Sequence, residues 1–210
     1  MNGHGGMLVS IDGPGGSGKS TVAAITAELL IGHGLAVCET TEPTRTPLGK
    51  LIRAGTDEYA GIALACLVAG DRHHHLAAEI RPALAAGQVV LCDRYVPSSL
   101  VLQRMDGISW DVILQLNQGA DQPALAVILN GSPAVIAARL ASRGRHSRFE
   151  RQPGSSRVES DLYTDTAARL AQAGWPVCTI DITTRSADQA AIIVTDRILA
   201  LGADANPELP

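Results

Sequence analysis

Gly13-Pro14-Gly15-Gly16-Ser17-Gly18-Lys19-Ser20 fits the pattern G-x-x-x-x-G-K-[ST], and this octapeptide limits the possible fold more than any other feature. Such a loop works only between a strand and a helix. Met7 to Asp12, MLVSID, reads as a buried strand, and Lys19 to His33 reads as a helix stopped at Gly34. Glycines let backbone N–H groups turn inward around phosphate oxygens, and the helix N-terminus adds partial positive charge. Lys19 suits the β- and γ-phosphates of a nucleoside triphosphate and Ser20 suits Mg²⁺. Gly13, Gly15, Gly16, Ser17, Gly18 and Thr21 complete the cradle. Chance matches are expected in roughly a few per thousand such chains. The motif alone does not separate kinases from GTPases or ATPases.

Downstream, strand and helix patterns alternate. Leu35–Thr40 reads as a strand, Leu48–Ala54 as a short helix, and Ile62–Ala86 as a long helix with a break at Gly70 and a kink at Pro82. Gln88–Cys92, Ala124–Leu129 and Val177–Asp181 read as strands; Trp110–Gln118, Ala134–Arg143, Glu159–Ala173 and Asp188–Leu201 read as helices. This alternation implies a parallel sheet covered on both faces, with ligands beyond the carboxyl ends of the strands. Asp12, Asp93 and Asn130 fall at those ends. No repeat or long linker divides the chain, so residues 1–210 read as a single domain. Met1–Gly6 and about 203–210 read as loose tails.

Composition narrows the function. The chain is 46% apolar and 18% charged, with no apolar run long enough to span a bilayer. The apolar stretch near the start ends at Asp12 and reads as a strand, not a signal peptide. A net charge of −4 gives no broad basic field for nucleic acid. Cys38, Cys66, Cys92 and Cys178 lack metal-like spacing, read as small core residues, and fit a cytoplasmic enzyme. His73, His74 and His75 are consecutive on a helix, cannot share one metal, and read as solvated or partly packed.

Several blocks together carry a resemblance. They are Thr41-Glu42-Pro43 with Thr46-Pro47-Leu48-Gly49 and Ile52-Arg53; Asp71-Arg72; Asp93-Arg94-Tyr95 with Ser98-Ser99 and Gln103; and Arg143 to Glu150. Combined with the phosphate loop, this order and spacing resembles the thymidylate kinases, P-loop nucleoside monophosphate kinases. The resemblance implies a three-layer α/β P-loop kinase fold with a five-stranded parallel sheet and an arginine-rich lid at about 143–157. It implies ATP and Mg²⁺ as cofactors, dTMP as acceptor, and a homodimer with no nucleic-acid or membrane partner. Catalytic roles fall on Lys19, Asp93, Arg94, Arg143 and Arg148, with Ser20 and Asp93 at the metal. Glu42, Arg53, Val68, Arg72, Arg94, Ser98, Ser99 and Gln103 fall on the acceptor.

The chemistry of the residues agrees. A monophosphate kinase holds two polyanions end to end, which calls for bidentate arginines on the acceptor phosphate. Arg53 and Arg94 suit this; Arg143, Arg145 and Arg148 suit a lid closing over the transferring group. Plainer readings stay open: Arg94 as a structural partner of Asp93, Arg53 as a helix cap, Glu42 as an ordinary loop carboxylate, and Gln103 as surface. The chain also departs from the family. Val68 stands where a stacking aromatic is usual, Val101-Leu102 replaces Ala-Tyr, Ser147 replaces the lid aspartate, and Asn130 replaces a strand-end aspartate. A kinase for another or modified nucleoside monophosphate, and a nucleotide-binding regulatory protein, therefore stand as alternatives.

Overall fold

The computed structural model describes residues 5–144 and 147–204, the side chain of Asp204 excepted. The expected tails at 1–4 and 205–210, and the lid residue Arg145, lie outside the described residues. Five parallel strands run in the order β2-β3-β1-β4-β5: β1 Met7–Asp12, β2 Val37–Thr41, β3 Val89–Asp93, β4 Leu125–Asn130 and β5 Val177–Asp181. β1 sits centrally, with Ile11 opposite Asp93 of β3 and Asp12 opposite Ile128 of β4. The sequence expectation of a five-stranded parallel sheet is met, and all three carboxyl-end residues lie on one edge.

The helices are α1 Lys19–Gly32, α2 Pro47–Ala54, α3 Gly61–His75, α4 Arg81–Ala85, α5 Val96–Met105, α6 Trp110–Leu116, α7 Pro133–Arg143, α8 Arg148–Arg151, α9 Ser155–Gln172 and α10 Ala187–Asp204. Successive strand side chains point to opposite faces, and that splits the core. Val9 and Ile11, with Leu91 and Val127, pack on Val22 and Leu30 of α1 and Val194 and Ile198 of α10. Leu8, Val90 and Cys92 pack the other way, on Leu76, Ile80, Leu100 and Ile113. All six residues of β4 are buried. Each fully buried Val, Leu or Ile contributes about 1.5–3 kcal/mol relative to exposure, so the strand that carries Asn130 is firmly fixed.

Two expectations, at Gly70 and at the cysteines, need correction, and a helix at 96–105 joins those expected. Gly70 does not break the long helix; α3 runs through it. The distortion is a π-helical turn at Leu76–Ile80, directly before α4. Pro82 lacks an N–H and its ring crowds the carbonyl of Ala78, which widens the preceding turn. The segment 96–105 is helical as α5, although Pro97 and two serines disguise it. Proline in the first turn loses no helical hydrogen bond, so it is compatible with a helix start. The cysteines are not uniformly core residues: Cys92 is buried, Cys38 and Cys178 are half-buried, and Cys66 is exposed. The histidine triplet divides as well, with His73 and His74 exposed and His75 buried. Among the described residues no helix is long and apolar enough to cross a membrane.

Candidate active site

The phosphate loop joins β1 to α1. Gly13 has φ 153°, and a Cβ there would meet the carbonyl oxygen of Leu129 at 2.2 Å, so no other residue fits without displacing β4. Gly18 caps α1 at φ 86°. Lys19 is buried, and its Nζ donates to the carbonyl of Pro14 at 2.8 Å and lies 3.4 Å from Ser17 Oγ. Burial first, and then the guanidinium of Arg94, bring its ammonium down to about 7, against Asp93, Glu159 and Asp12. The ammonium is therefore poised for a polyanion that would restore its charge. Thr21 follows on the exposed face of the first helical turn.

The carboxyl edge of the sheet supplies the acidic groups. Ser20 Oγ donates to Asp93 Oδ2 at 2.5 Å, while Asp93 Oδ1 is buried with no protein partner. A serine hydroxyl beside an orphaned carboxylate oxygen is the hard-oxygen set that Mg²⁺ takes, so these residues fit the ion. Asp12 holds the start of α5. Its Oδ1 accepts from the N–H groups of Tyr95 (2.9 Å) and Ser98 (3.0 Å) and from Ser98 Oγ (2.6 Å). Burial raises the Asp12 carboxyl above its usual range despite those donors.

Arg94 links this edge to a cavity. Among the described residues it is the one non-glycine with positive φ, at 73°. That conformation costs about 1–3 kcal/mol and tends to persist at functional sites. Burial weighs against its charge, but Tyr163, Asp93, Glu159 and Asp12 together hold its proton more firmly than usual. Its Nη1 lies 3.5 Å from Ser98 Oγ.

The cavity has a volume of about 330 Å³. Glu42, Arg53, Val68, Arg72, Arg94, Ser98, Ser99, Gln103 and Arg143 all line it. The structure thus brings together every residue that the sequence assigned to the acceptor, from β2, α2, α3, α5 and the lid. Ser99 Oγ and Gln103 Oε1 are buried there without a protein partner, so polar atoms are on offer to a ligand. Arg53 donates to the carbonyls of Thr44, at 2.7 Å, and of Pro43. Burial lowers its pKa, and Arg45 and Arg94 push in the same direction.

Other assignments shift. Asp71 does not line the cavity; its carboxylate accepts from the N–H and hydroxyl of Thr44, both at 2.6 Å, and fixes the loop after β2. Arg72 lines the cavity but is largely committed. It pairs with Glu42 at 2.7 Å, donates to Asn117 Oδ1, and lies 5.1 Å over the ring of Tyr95. Glu42 organises Arg72 and His75 rather than Arg53 and Arg94. His75 lies 3.1 Å from Glu42 and 2.7 Å from Thr40 Oγ1. Glu42, His75 and Cys92 come close enough to hold a cation. Both imidazole nitrogens are already engaged, however, and Glu42 already neutralises Arg72, so the cluster reads as a hydrogen-bonded brace.

The lid arginines separate. Arg143 lines the cavity and pairs with Glu150 at 2.7 Å. Arg148 turns away, pairs with Asp106, and lies 4.3 Å over the ring of Phe149. Arg151 pairs with Asp57. Sequence reasoning missed Glu159, which is buried, accepts the N–H of Gly15 at 2.9 Å, and joins the phosphate loop to the cavity. It also missed Tyr163, whose hydroxyl is 3.0 Å from Ser98 Oγ, and Phe149.

Comparison with known proteins agrees with this geometry. The family profile described as thymidylate kinase matches residues 11–187. A probable thymidylate kinase of Caldivirga maquilingensis is 34% identical over 161 residues, which is 75% of this chain and 78% of that protein. A thymidylate kinase of Xanthomonas campestris is 37% identical over 159 residues, 74% of this chain and 70% of its own. One of Xanthomonas oryzae is 34% identical over 187 residues, 80% of this chain and 82% of its own. With its phosphate loop opening beside this arginine-lined cavity, the chain belongs to the thymidylate kinase family.

Proposed function

We propose that this protein transfers the γ-phosphoryl group of Mg·ATP to the phosphate of dTMP, giving dTDP and ADP. The observation that carries this is the meeting of Arg53 and Arg94 in one cavity that Glu159 joins to the phosphate loop. An NTPase or a regulatory switch has no use for a second anion clamp. Lys19 grips the β- and γ-phosphates, and Arg94 with Arg53 fixes the acceptor phosphate in line. Arg143, the lid arginine that lines the cavity, stabilises charge on the transferring group. Ser20 and Asp93 would hold Mg²⁺, which when bound neutralises charge on the phosphates. Arg148 acts on the lid's seating. Ser99, Gln103 and Arg72 contact the base, and the Glu42–His75 brace keeps Arg72 in place.

The absence of an aromatic at Val68 and Leu102 favours, as a second reading, another or modified nucleoside monophosphate as acceptor. A coupled ADP-release assay with dTMP, dUMP, dCMP, dGMP and dAMP decides between them. The proposal expects dTMP to give the highest kcat/KM; a flat response to every acceptor would refute it. We further infer a homodimer without a nucleic-acid partner. Ile62, Cys66 and Gly70 are exposed at four-residue intervals along α3, a stripe suited to a second copy of this chain. Four free thiols suit a cytoplasmic setting.

A further inference from the structure

We propose that Phe149 is the aromatic wall of the base pocket, so that the lid itself recognises the acceptor's base; this rests on the acceptor-site reading above. Phe149 is the one phenylalanine of the chain. It sits on α8 in the lid, yet it is only 4% exposed. It packs with Ile52 of α2 and Leu64 of α3, and Val68 and Leu102 pack against that group. Phe149, Val68 and Leu102 also line the acceptor cavity, together with Gln103 and Arg72. The lid thus delivers a π-face beside the two positions, on α3 and α5, that are themselves aliphatic.

The surroundings of the ring favour this role. The guanidinium of Arg148 lies 4.3 Å from the ring centroid and is tied to Asp106 beyond the end of α5. A cation on one side of an aromatic ring is attracted to its face and restrains it. Two polar atoms of the cavity, Ser99 Oγ and Gln103 Oε1, are buried without protein partners, so a heterocycle held there has an acceptor at its edge and an aromatic surface beside it. Because Phe149 and Arg143 belong to the same lid, seating the ring against a base also draws Arg143 over the phosphates. Recognition of the base and completion of the catalytic site become one event. An acceptor without a base cannot use this coupling.

The competing role for Phe149 is a purely apolar anchor for the lid. Phe149→Leu separates the two, since leucine keeps the apolar contact and removes the π-face. Three quantities are measured for both proteins: kcat/KM for dTMP, KM for ATP, and the inhibition constant of deoxyribose 5-phosphate, an acceptor lacking the base. We expect Phe149→Leu to lose about tenfold in kcat/KM for dTMP, the size of one stacking contact. The inhibition constant and the KM for ATP should stay unchanged. Equal losses for dTMP and deoxyribose 5-phosphate, or no loss for either, would overturn the inference. If the leucine variant does not fold, Phe149→Trp reports the same contact by fluorescence, which dTMP should quench and deoxyribose 5-phosphate should not. Equal responses to the two ligands would again overturn it. A wild type that phosphorylates none of the monophosphates would remove the proposed function and this inference with it. A wild type active on dTMP with an unaffected leucine variant would remove the inference alone.

Discussion

The phosphate loop takes eight consecutive residues, Gly13 to Ser20, whereas the acceptor cavity draws on β2, α2, α3, α5, the lid and α9. The first is a backbone device: its ligands are N–H groups aimed by glycines, and Gly13 is pinned against Leu129. The second is a side-chain device, in which arginines are aimed by other residues, as Glu42 aims Arg72 and Thr44 steadies Arg53. A local backbone site should fail all at once when its one indispensable side chain is lost. An assembled site should fail in parts, with binding of one substrate separable from the other.

The largest effect is expected at Lys19. Lys19→Ala should lower kcat by at least about 10³-fold, because a charge is lost where negative charge migrates. Thermal unfolding should stay cooperative, since alanine removes a buried cation whose charged form burial and Arg94 disfavour. Steady-state kinetics on a folded variant check this.

At Arg94 the loss should be selective. Arg94→Ala should weaken acceptor binding by roughly 2–3 kcal/mol and leave KM for ATP within a few-fold. Alanine keeps the strained φ of 73°, so this substitution isolates the guanidinium. Arg94→Gly should raise the melting temperature relative to Arg94→Ala without restoring activity. An equal rise in both KM values would erase the contrast between the two ends of the site.

A smaller effect concerns pH. Lys19 sits at about 7 in the free protein against an ordinary 10.5. Between those values the folded chain binds fewer protons than the unfolded chain, so this group makes stability rise with pH across that window. Bound polyphosphate should return the proton to Lys19. ATP binding above pH 7 should therefore take up close to one proton, and affinity should fall by up to about tenfold per pH unit. Calorimetry in buffers of different ionisation enthalpy reads that uptake.

The smallest expected effect lies where the two regions touch. A Cβ on Gly15 would meet Glu150 Oε1 at 2.5 Å. Glu150 ends a flexible side chain on the lid, so Gly15→Ala should cost under about 1 kcal/mol in stability. It should nonetheless loosen the lid, and amide exchange within α8 should quicken.

The same contrast explains what the sequence disclosed. β1, the phosphate loop and β5 were legible because short-range patterns decide them, and their limits fall where the apolar runs end. The residues of the acceptor cavity were legible only through resemblance, since nothing local to Arg53 or Gln103 says that they meet. α5 was hidden because its start is stabilised by Asp12, which lies 83 residues before Tyr95. Glu159 looked like an ordinary helix residue and Phe149 like one more residue of the lid; their roles come from tertiary contact with Gly15 and with Ile52 and Leu64. His75 shared its appearance with two exposed neighbours, and helical rotation alone turns it inward to Glu42.

The central claim is that the cavity receives the phosphoryl group. Its most direct test follows the label of γ-³²P-ATP in the presence and absence of dTMP. The account predicts label in dTDP, with release as inorganic phosphate remaining a small fraction of the transfer rate. Label appearing chiefly as inorganic phosphate, at a rate indifferent to dTMP, would contradict it.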